Sequence, residues 1–258
     1  MKRNIFYYKD ELNDDFALEN IKPIDINSDY KYIHENILWR ISSFVIYRLI
    51  ALPIAFIYSK LIFGLKFENK EVLKKIKDTG YFIYGNHTQK VIDTFLPTLG
   101  NFPKKCYIVA HPDNIAIPIL GTFNKMMGGF PIPTDIKAMK NFLDAMEYFI
   151  TKKSVISIYP EAHVWPYYSK IRNFKSTSFK YPVKLNKPVF VFTTTYKKRK
   201  YRRPKIIVYI DGPFYPDKKL NLKKAQEKLR NKVYDTMCFR AKNTDIEYYK
   251  YIKDELND

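Results

Sequence analysis

Cysteine is scarce in this 258-residue chain, which carries only Cys106 and Cys238. Two thiols give no disulfide framework, and neither has partners at metal-ligand spacing, so the chain reads as a reducing-compartment protein with no expected cofactor. Histidine is nearly as rare, at four residues, which makes each one worth a reason. Acidic residues are outnumbered: 45 Lys and Arg against 26 Asp and Glu leave a formal charge of +19. That imbalance favours an anionic partner, whether nucleic acid, lipid headgroup or phosphate. No helix-turn-helix, zinc finger or aromatic RNA-binding motif accompanies it, so nucleic acid is set aside as a partner. Internal repeats and low-complexity tracts are absent. The opening MKRNIFYYKDELNDDFALEN meets Asp and Glu before any apolar core and does not read as a secretory signal.

Also missing is an uninterrupted apolar run of the roughly 20 residues needed to span a hydrocarbon core. The nearest approach is ISSFVIYRLIALPIAFIYSKLIFGL, residues 41–65, interrupted by Arg48, Pro53 and Lys60. Arg48 is costly at mid-bilayer but can snorkel from an interfacial helix. Pro53 kinks a helix or divides it in two. The expectation is an interfacial or half-embedded helical pair in an N-terminal segment, residues 1–65, with Tyr47 and Tyr58 near headgroups. A core helix pair of a soluble domain is the alternative.

What the chain has in quantity is aromatic and β-branched sequence: 22 Tyr, 19 Phe and a 46% hydrophobic share belong to a folded protein. Apolar strands are expected at YFIY (81–84), KKCYIVA (104–110), SVISIYP (154–160), PVFVFTTTY (188–196) and KIIVYI (205–210). Helices are expected from Lys90, over about 137–151, and over about 221–238 ahead of an acidic tail. NKEVLKKIKDTG reads as a short basic surface helix ended by Gly80, and residues 1–40 as an irregular or helical prelude. Alternating strands and helices imply one α/β domain over 66–258, a mixed sheet covered by helices on both faces.

Polar clusters stand where three strands stop: Asn86-His87…Asp93, His111-Pro112-Asp113-Asn114, and Tyr159-Pro160-Glu161-Ala162-His163. Strand C-termini are where α/β folds gather chemistry. His87 and Asp93 lie six apart, outside the usual helical pairing, and meet only if the chain turns between them. Such a pair lets the carboxylate hold one imidazole nitrogen while the other takes a proton from a hydroxyl. No nearby serine stands out as a nucleophile, so that hydroxyl belongs to the substrate. An ordinary turn contact is the plainer account of the pair, and Glu161 after Pro160 is equally readable as a helix cap. The His111, Asp113 and His163 spacings match no zinc pattern. Basic candidates for phosphate are Lys170, Arg172 and Lys175 just after Glu161. The run TYKKRKYRRPK is an exposed hairpin loop, either phosphate site or solvated tip.

In this order the motifs resemble the glycerolipid (lysophospholipid, 1-acylglycerol-3-phosphate) acyltransferase family. NHTQKVID is similar to that family's first motif, His, four residues, then Asp, with one residue inserted. Tyr159-Pro160-Glu161-Ala162-His163-Val164 corresponds to its Phe-Pro-Glu-Gly-Thr-Arg, followed by Phe174-Lys175. Gly128-Gly129-Phe130-Pro131-Ile132-Pro133 occupies the second motif's place, and Pro188 opens the fourth-motif strand. The resemblance covers about residues 40–235. Two departures stand out: Pro133-Thr134 falls where a phosphate-contacting Arg is expected, and Val164 replaces a second one. The resemblance implies a glycerol-3-phosphate acyltransferase-like fold and transfer of an acyl group from acyl-CoA or acyl carrier protein to a lysophospholipid. His87 and Asp93 would be catalytic. Glu161, Gly129, Thr134, Lys170, Arg172 and Lys175 would bind substrate, with backbone N–H groups around Gly128 and Gly129 as oxyanion donors. It implies an enzyme at an anionic membrane surface on the cytoplasmic face; a non-catalytic lipid binder on the same scaffold is the alternative.

Overall fold

The computed structural model describes residues 4–16, 24–116 and 120–254; the acidic tail from 255 onward lies outside the described residues. Among the described residues, nine strands occur in chain order: β1 (Ile5–Tyr8), β2 (Lys66–Glu68), β3 (Tyr81–Gly85), β4 (Cys106–Ala110), β5 (Gly129–Pro131), β6 (Val155–Ile158), β7 (Val189–Lys197), β8 (Lys205–Phe214) and β9 (Lys250–Lys253). Seven form one sheet in the order β2-β8-β7-β3-β6-β4-β5, parallel throughout except for the β7–β8 hairpin.

β3 and β6 are buried at every position, which is why their sequences are nearly continuous in apolarity rather than alternating. Both faces of β3 meet a core. Phe82 and Tyr84 pack with Phe142, Phe149, Leu229 and Val233, from the helices Met139–Thr151 and Leu222–Ala241. Tyr81 and Ile83 point the other way, into a cluster with Phe63, Leu65, Leu96 and Phe190. The two-residue strand period assigns each side chain to its face. β3 thus runs through the middle of the domain, and whatever follows Gly85 emerges at the centre of the sheet.

The apolar N-terminal element is one continuous helix, Ile37–Phe63, rather than the expected pair. Pro53 does not split it because the preceding seven residues, Val45–Ala51, widen into a π-helix, with Leu52 N–H bonding to Tyr47 C=O. The wider turn makes room for the proline ring and its missing donor. At 27 residues the helix is long and apolar enough to cross a membrane. Ser43, Tyr47, Leu52, Ala55, Ser59 and Phe63 are buried against the domain, one stripe along its length. The opposite face is open, with Leu38 71% and Leu61 68% exposed.

Three further expectations are corrected. The basic surface helix is a short 3-10 segment, Lys70–Lys75. Gly80 does not cap it: a Cβ there would meet Ile150 O at 2.4 Å, so it is the close approach of backbone that requires glycine. The helix expected from Lys90 begins only at Leu96, after a 3-10 turn at Ile92–Thr94. Part of the N-terminal prelude is a strand, β1, paired in parallel with β9.

Candidate active site

Beyond Gly85 the chain leaves β3 as a loop stitched to both neighbouring strands. Asn86 exchanges a pair of hydrogen bonds with the backbone of Thr194 on β7, at 2.8 and 3.1 Å. On the other side, the segment after β6 donates from Trp165 N–H to His87 C=O (3.1 Å) and from Tyr167 N–H to Thr88 C=O (2.9 Å). Tyr167 and Ala162 take positive φ (57° and 64°), the bends that let this segment lie along the loop.

Held this way, His87 and Asp93 meet. His87 Nδ1 lies 2.8 Å from Asp93 Oδ2, which also accepts the backbone N–H groups of Thr88 and Gln89, each at 2.9 Å. Six residues of separation are absorbed because the chain wraps around the carboxylate before the 3-10 turn begins. Asp93 is buried and the His87 side chain is 20% exposed, so the dyad has an inner and an outer member. With Nδ1–H donating to the carboxylate, Nε2 carries the free lone pair, the tautomer a general base requires. The Tyr159 ring stacks on the imidazole, centroids 4.5 Å apart, and its hydroxyl donates to Asp93 C=O at 2.5 Å.

Glu161 is the second anchor. It is buried, and its Oε2 accepts His87 N–H (3.0 Å) while Oε1 accepts Arg172 N–H (3.0 Å). The Arg172 guanidinium completes the pair at 3.3 Å from Oε2. Burial pushes the Glu161 carboxyl upward, and Arg172 opposes that shift. Arg172 also donates to the backbone oxygens of His163 and Glu11 and lies over Trp165, its carbon 4.8 Å from the ring centroid. Elsewhere, Gln89 and Thr88 hydrogen-bond the buried Tyr196 hydroxyl.

The sequence profile of the family described as Acyltransferase matches residues 64–197. That span is more than half of the chain and contains the dyad, Tyr159 and Glu161. The chain belongs to the acyltransferase family. Among solved structures, this acyltransferase-family chain is similar to the 1-acyl-sn-glycerophosphate (LPA) acyltransferase PlsC from Thermotoga maritima, at 17% identity and a TM-score of 0.51. The likeness covers 81% of this chain and 96% of that one. At this identity it speaks for the fold. A search of curated proteins found no match.

Against the family's motif order, the remaining expected residues divide. Lys170 and Lys175 are exposed. Arg172, expected beside them as a phosphate contact, is corrected: it is buried, and its charge faces Glu161. Glu161 likewise uses both oxygens inside the protein, shaping the His87 loop. Thr134 is tied to the N-terminal segment, its Oγ1 accepting Ile26 N–H at 2.9 Å. Gly128 and Gly129 do not serve His87. They sit at the start of β5, the far edge strand and three strands from β3, about 14 Å away at ordinary strand spacing. Gly128 N–H is already given to Lys125 C=O. His111 and His163 pair separately with Asp113 and Asp15, and among the described residues no three His, Cys, Asp or Glu side chains gather as a metal site.

Sequence reasoning missed the Tyr159 stack and the use of Arg172 as Glu161's counterion. The one available signal for the stack was Tyr159 itself, an aromatic ending a strand beside Gly85, where a Cβ would meet its ring at 2.8 Å.

Proposed function

We propose that this protein transfers an acyl group from an acyl thioester, on CoA or acyl carrier protein, to the hydroxyl of a lysophospholipid at the cytoplasmic face of a membrane. The observation that carries the reading is the His87–Asp93 contact, with Nε2 left free at the end of the central strand. Nε2 removes the acceptor hydroxyl proton as its oxygen attacks the thioester carbonyl. Collapse of the tetrahedral intermediate breaks the C–S bond, and the imidazolium returns the proton to the departing thiolate. Asp93 supports the charged ring, and Tyr159 fixes its plane.

Transfer is direct in this scheme. Cys106 is fully buried at the start of β4, the end of the sheet away from His87, so it is out of reach of the substrates, and burial also raises its pKa. Lys170 and Lys175 are the proposed contacts for the acceptor phosphate, in place of the arginines that the family motifs place elsewhere. The open apolar face of Ile37–Phe63 supports interfacial insertion, which brings the site to amphiphilic substrates.

The test is transfer from a labelled long-chain acyl thioester to a panel of lysophospholipids in vesicles, comparing wild type, His87→Ala and Asp93→Ala. Loss of transfer in both folded variants is the expected result, and full activity of His87→Ala would sink the mechanism. A protein that binds the vesicles but transfers to no acceptor would be a lipid binder on this scaffold.

A further inference from the structure

Beneath the N-terminal helix, at the opposite end of the sheet from His87, lies a cavity of about 1020 Å³. Its floor is made by residues just before β4 and β6, Lys105, Lys152 and Ser154, and its roof by Trp39, Phe44 and Arg48 of the helix. β4 and β6 run parallel to β3, so the five residues of β3 separate this cavity from the dyad, about 16 Å along the strand direction. The two sites are distinct.

The cavity's charge is lopsided. Arg40, Arg48, Lys105, Lys125 and Lys152 line it, against one carboxylate, Glu35. None of the five cations makes an ion pair among the described residues. Instead four of them lie over aromatic rings: Arg48 over Phe102 (5.3 Å), Lys105 over Tyr107 (5.0 Å), Lys125 over Tyr30 (5.1 Å) and Lys152 over Tyr148 (5.7 Å), and Arg48 also donates to Pro103 C=O. Lys105 is half-buried and donates to Ser43 Oγ at 3.4 Å. Burial, and then Arg48, bring its pKa down to about 8. Arg40 and Lys152 are exposed, but Arg48, Lys105 and Lys125 are half-buried. Clustered, partly desolvated cations without acidic partners are costly in an isolated protein, and an anion relieves that cost. Phe44 and Leu49 line the same cavity and are about three-fifths exposed, at 58% and 60%, on the helix's open face. The basic interior is therefore continuous with an apolar outer surface.

We propose that this cavity binds the phosphate headgroup of an anionic membrane phospholipid, with its acyl chains along Phe44 and Leu49, as a docking site separate from the reaction centre. The proposal rests on the membrane-association reading above. It gives the half-buried Arg48 and Lys105 the anionic partner that the described residues do not supply. A site of this kind anchors the domain at anionic lipid while leaving the dyad free for substrate.

Trp39 lines the cavity and Trp165 is fully buried elsewhere, so quenching of Trp39 emission by lipids brominated in the acyl chain reports occupancy. The comparison uses phosphatidylcholine vesicles with and without phosphatidylglycerol, and wild type, Lys105→Gln/Lys125→Gln and, as a remote charge control, Lys223→Gln/Lys224→Gln. Each basic side chain near an anionic surface contributes roughly a fivefold factor, so the cavity variant should bind phosphatidylglycerol vesicles roughly 25-fold more weakly. Its binding to phosphatidylcholine should be unchanged, and the control should lose far less. Equal losses in the two variants would overturn the site in favour of diffuse charge. Displacement by inorganic phosphate alone, with no effect of the lipid's headgroup, would reassign it to free phosphate. Wild type that binds both vesicle types equally removes the headgroup site only; wild type that binds neither removes the membrane reading with it.

Discussion

Asp93→Asn tests the dyad most directly, because the structure specifies what the amide must do. Oδ2 accepts three hydrogen bonds, from His87 Nδ1 and the N–H groups of Thr88 and Gln89, while the buried Oδ1 receives none among the described residues. An asparagine with its oxygen at the Oδ2 position keeps the three donors but loses the charge that supports the imidazolium. It also puts an NH2 where Oδ1 has no partner, a buried donor costing roughly 1–3 kcal/mol. Turned the other way, the amide nitrogen faces two backbone N–H groups and forces the proton of His87 onto Nε2, where the base should be. In the first orientation Nε2 remains a base but without its supporting charge, and in the second it is blocked, so general-base assistance, worth about 10²–10⁴ in kcat, is largely lost. Thiol release from the acyl donor, followed with a chromogenic thiol reagent, gives kcat and KM. The expected outcome is a fall in kcat of that size with KM within a few-fold. Groups acting as a unit are not additive, so His87→Ala/Asp93→Asn should be little slower than His87→Ala alone. A folded Asp93→Asn with wild-type kcat would refute the argument, as would a double variant whose loss is the product of the two single losses.

Arg172→Gln strips the buried counterion from Glu161 and should lower unfolding stability by about 3–5 kcal/mol in a denaturant titration, with Arg172→Lys recovering little because an ammonium cannot copy the guanidinium fork. Gly85→Ala sets a methyl 2.8 Å from the Tyr159 ring; since a side chain rather than backbone is struck, the fold should persist while kcat falls as the ring shifts off His87, and unchanged kinetics would dismiss the stack as a positioning device. Lys105 is charged only below its lowered value of about 8, so the phosphatidylglycerol-dependent part of vesicle binding should weaken between pH 7 and 9 while phosphatidylcholine binding stays level. A flat profile for both would remove Lys105 from the site.

The sequence by itself determined the five inner strands of the sheet, β3, β4, β6, β7 and β8, though not its short edge strands β2 and β5 or the order of the strands. YFIY, SVISIYP and PVFVFTTTY are nearly continuous in apolarity because their strands are buried on both faces, and Lys205–Phe214 follows its turn as the expected hairpin. It also placed His87 and Asp93 at a strand end, since strand, breaker and polar residues are all local features. Their meeting was not local. It required the carboxylate to collect two backbone N–H groups, and it required Asn86, Trp165 and Tyr167 to pin the loop from neighbouring strands. Charge was the least legible feature. Arg172 and Lys175 look alike in sequence, yet one is buried against Glu161 and the other faces solvent. Only the packing around Trp165 decides between them, because a cation's partner is set by what the fold brings beside it and not by its neighbours along the chain. The same holds for Lys105, whose carboxylate-poor surroundings exist only once the N-terminal helix closes over the ends of β4 and β6.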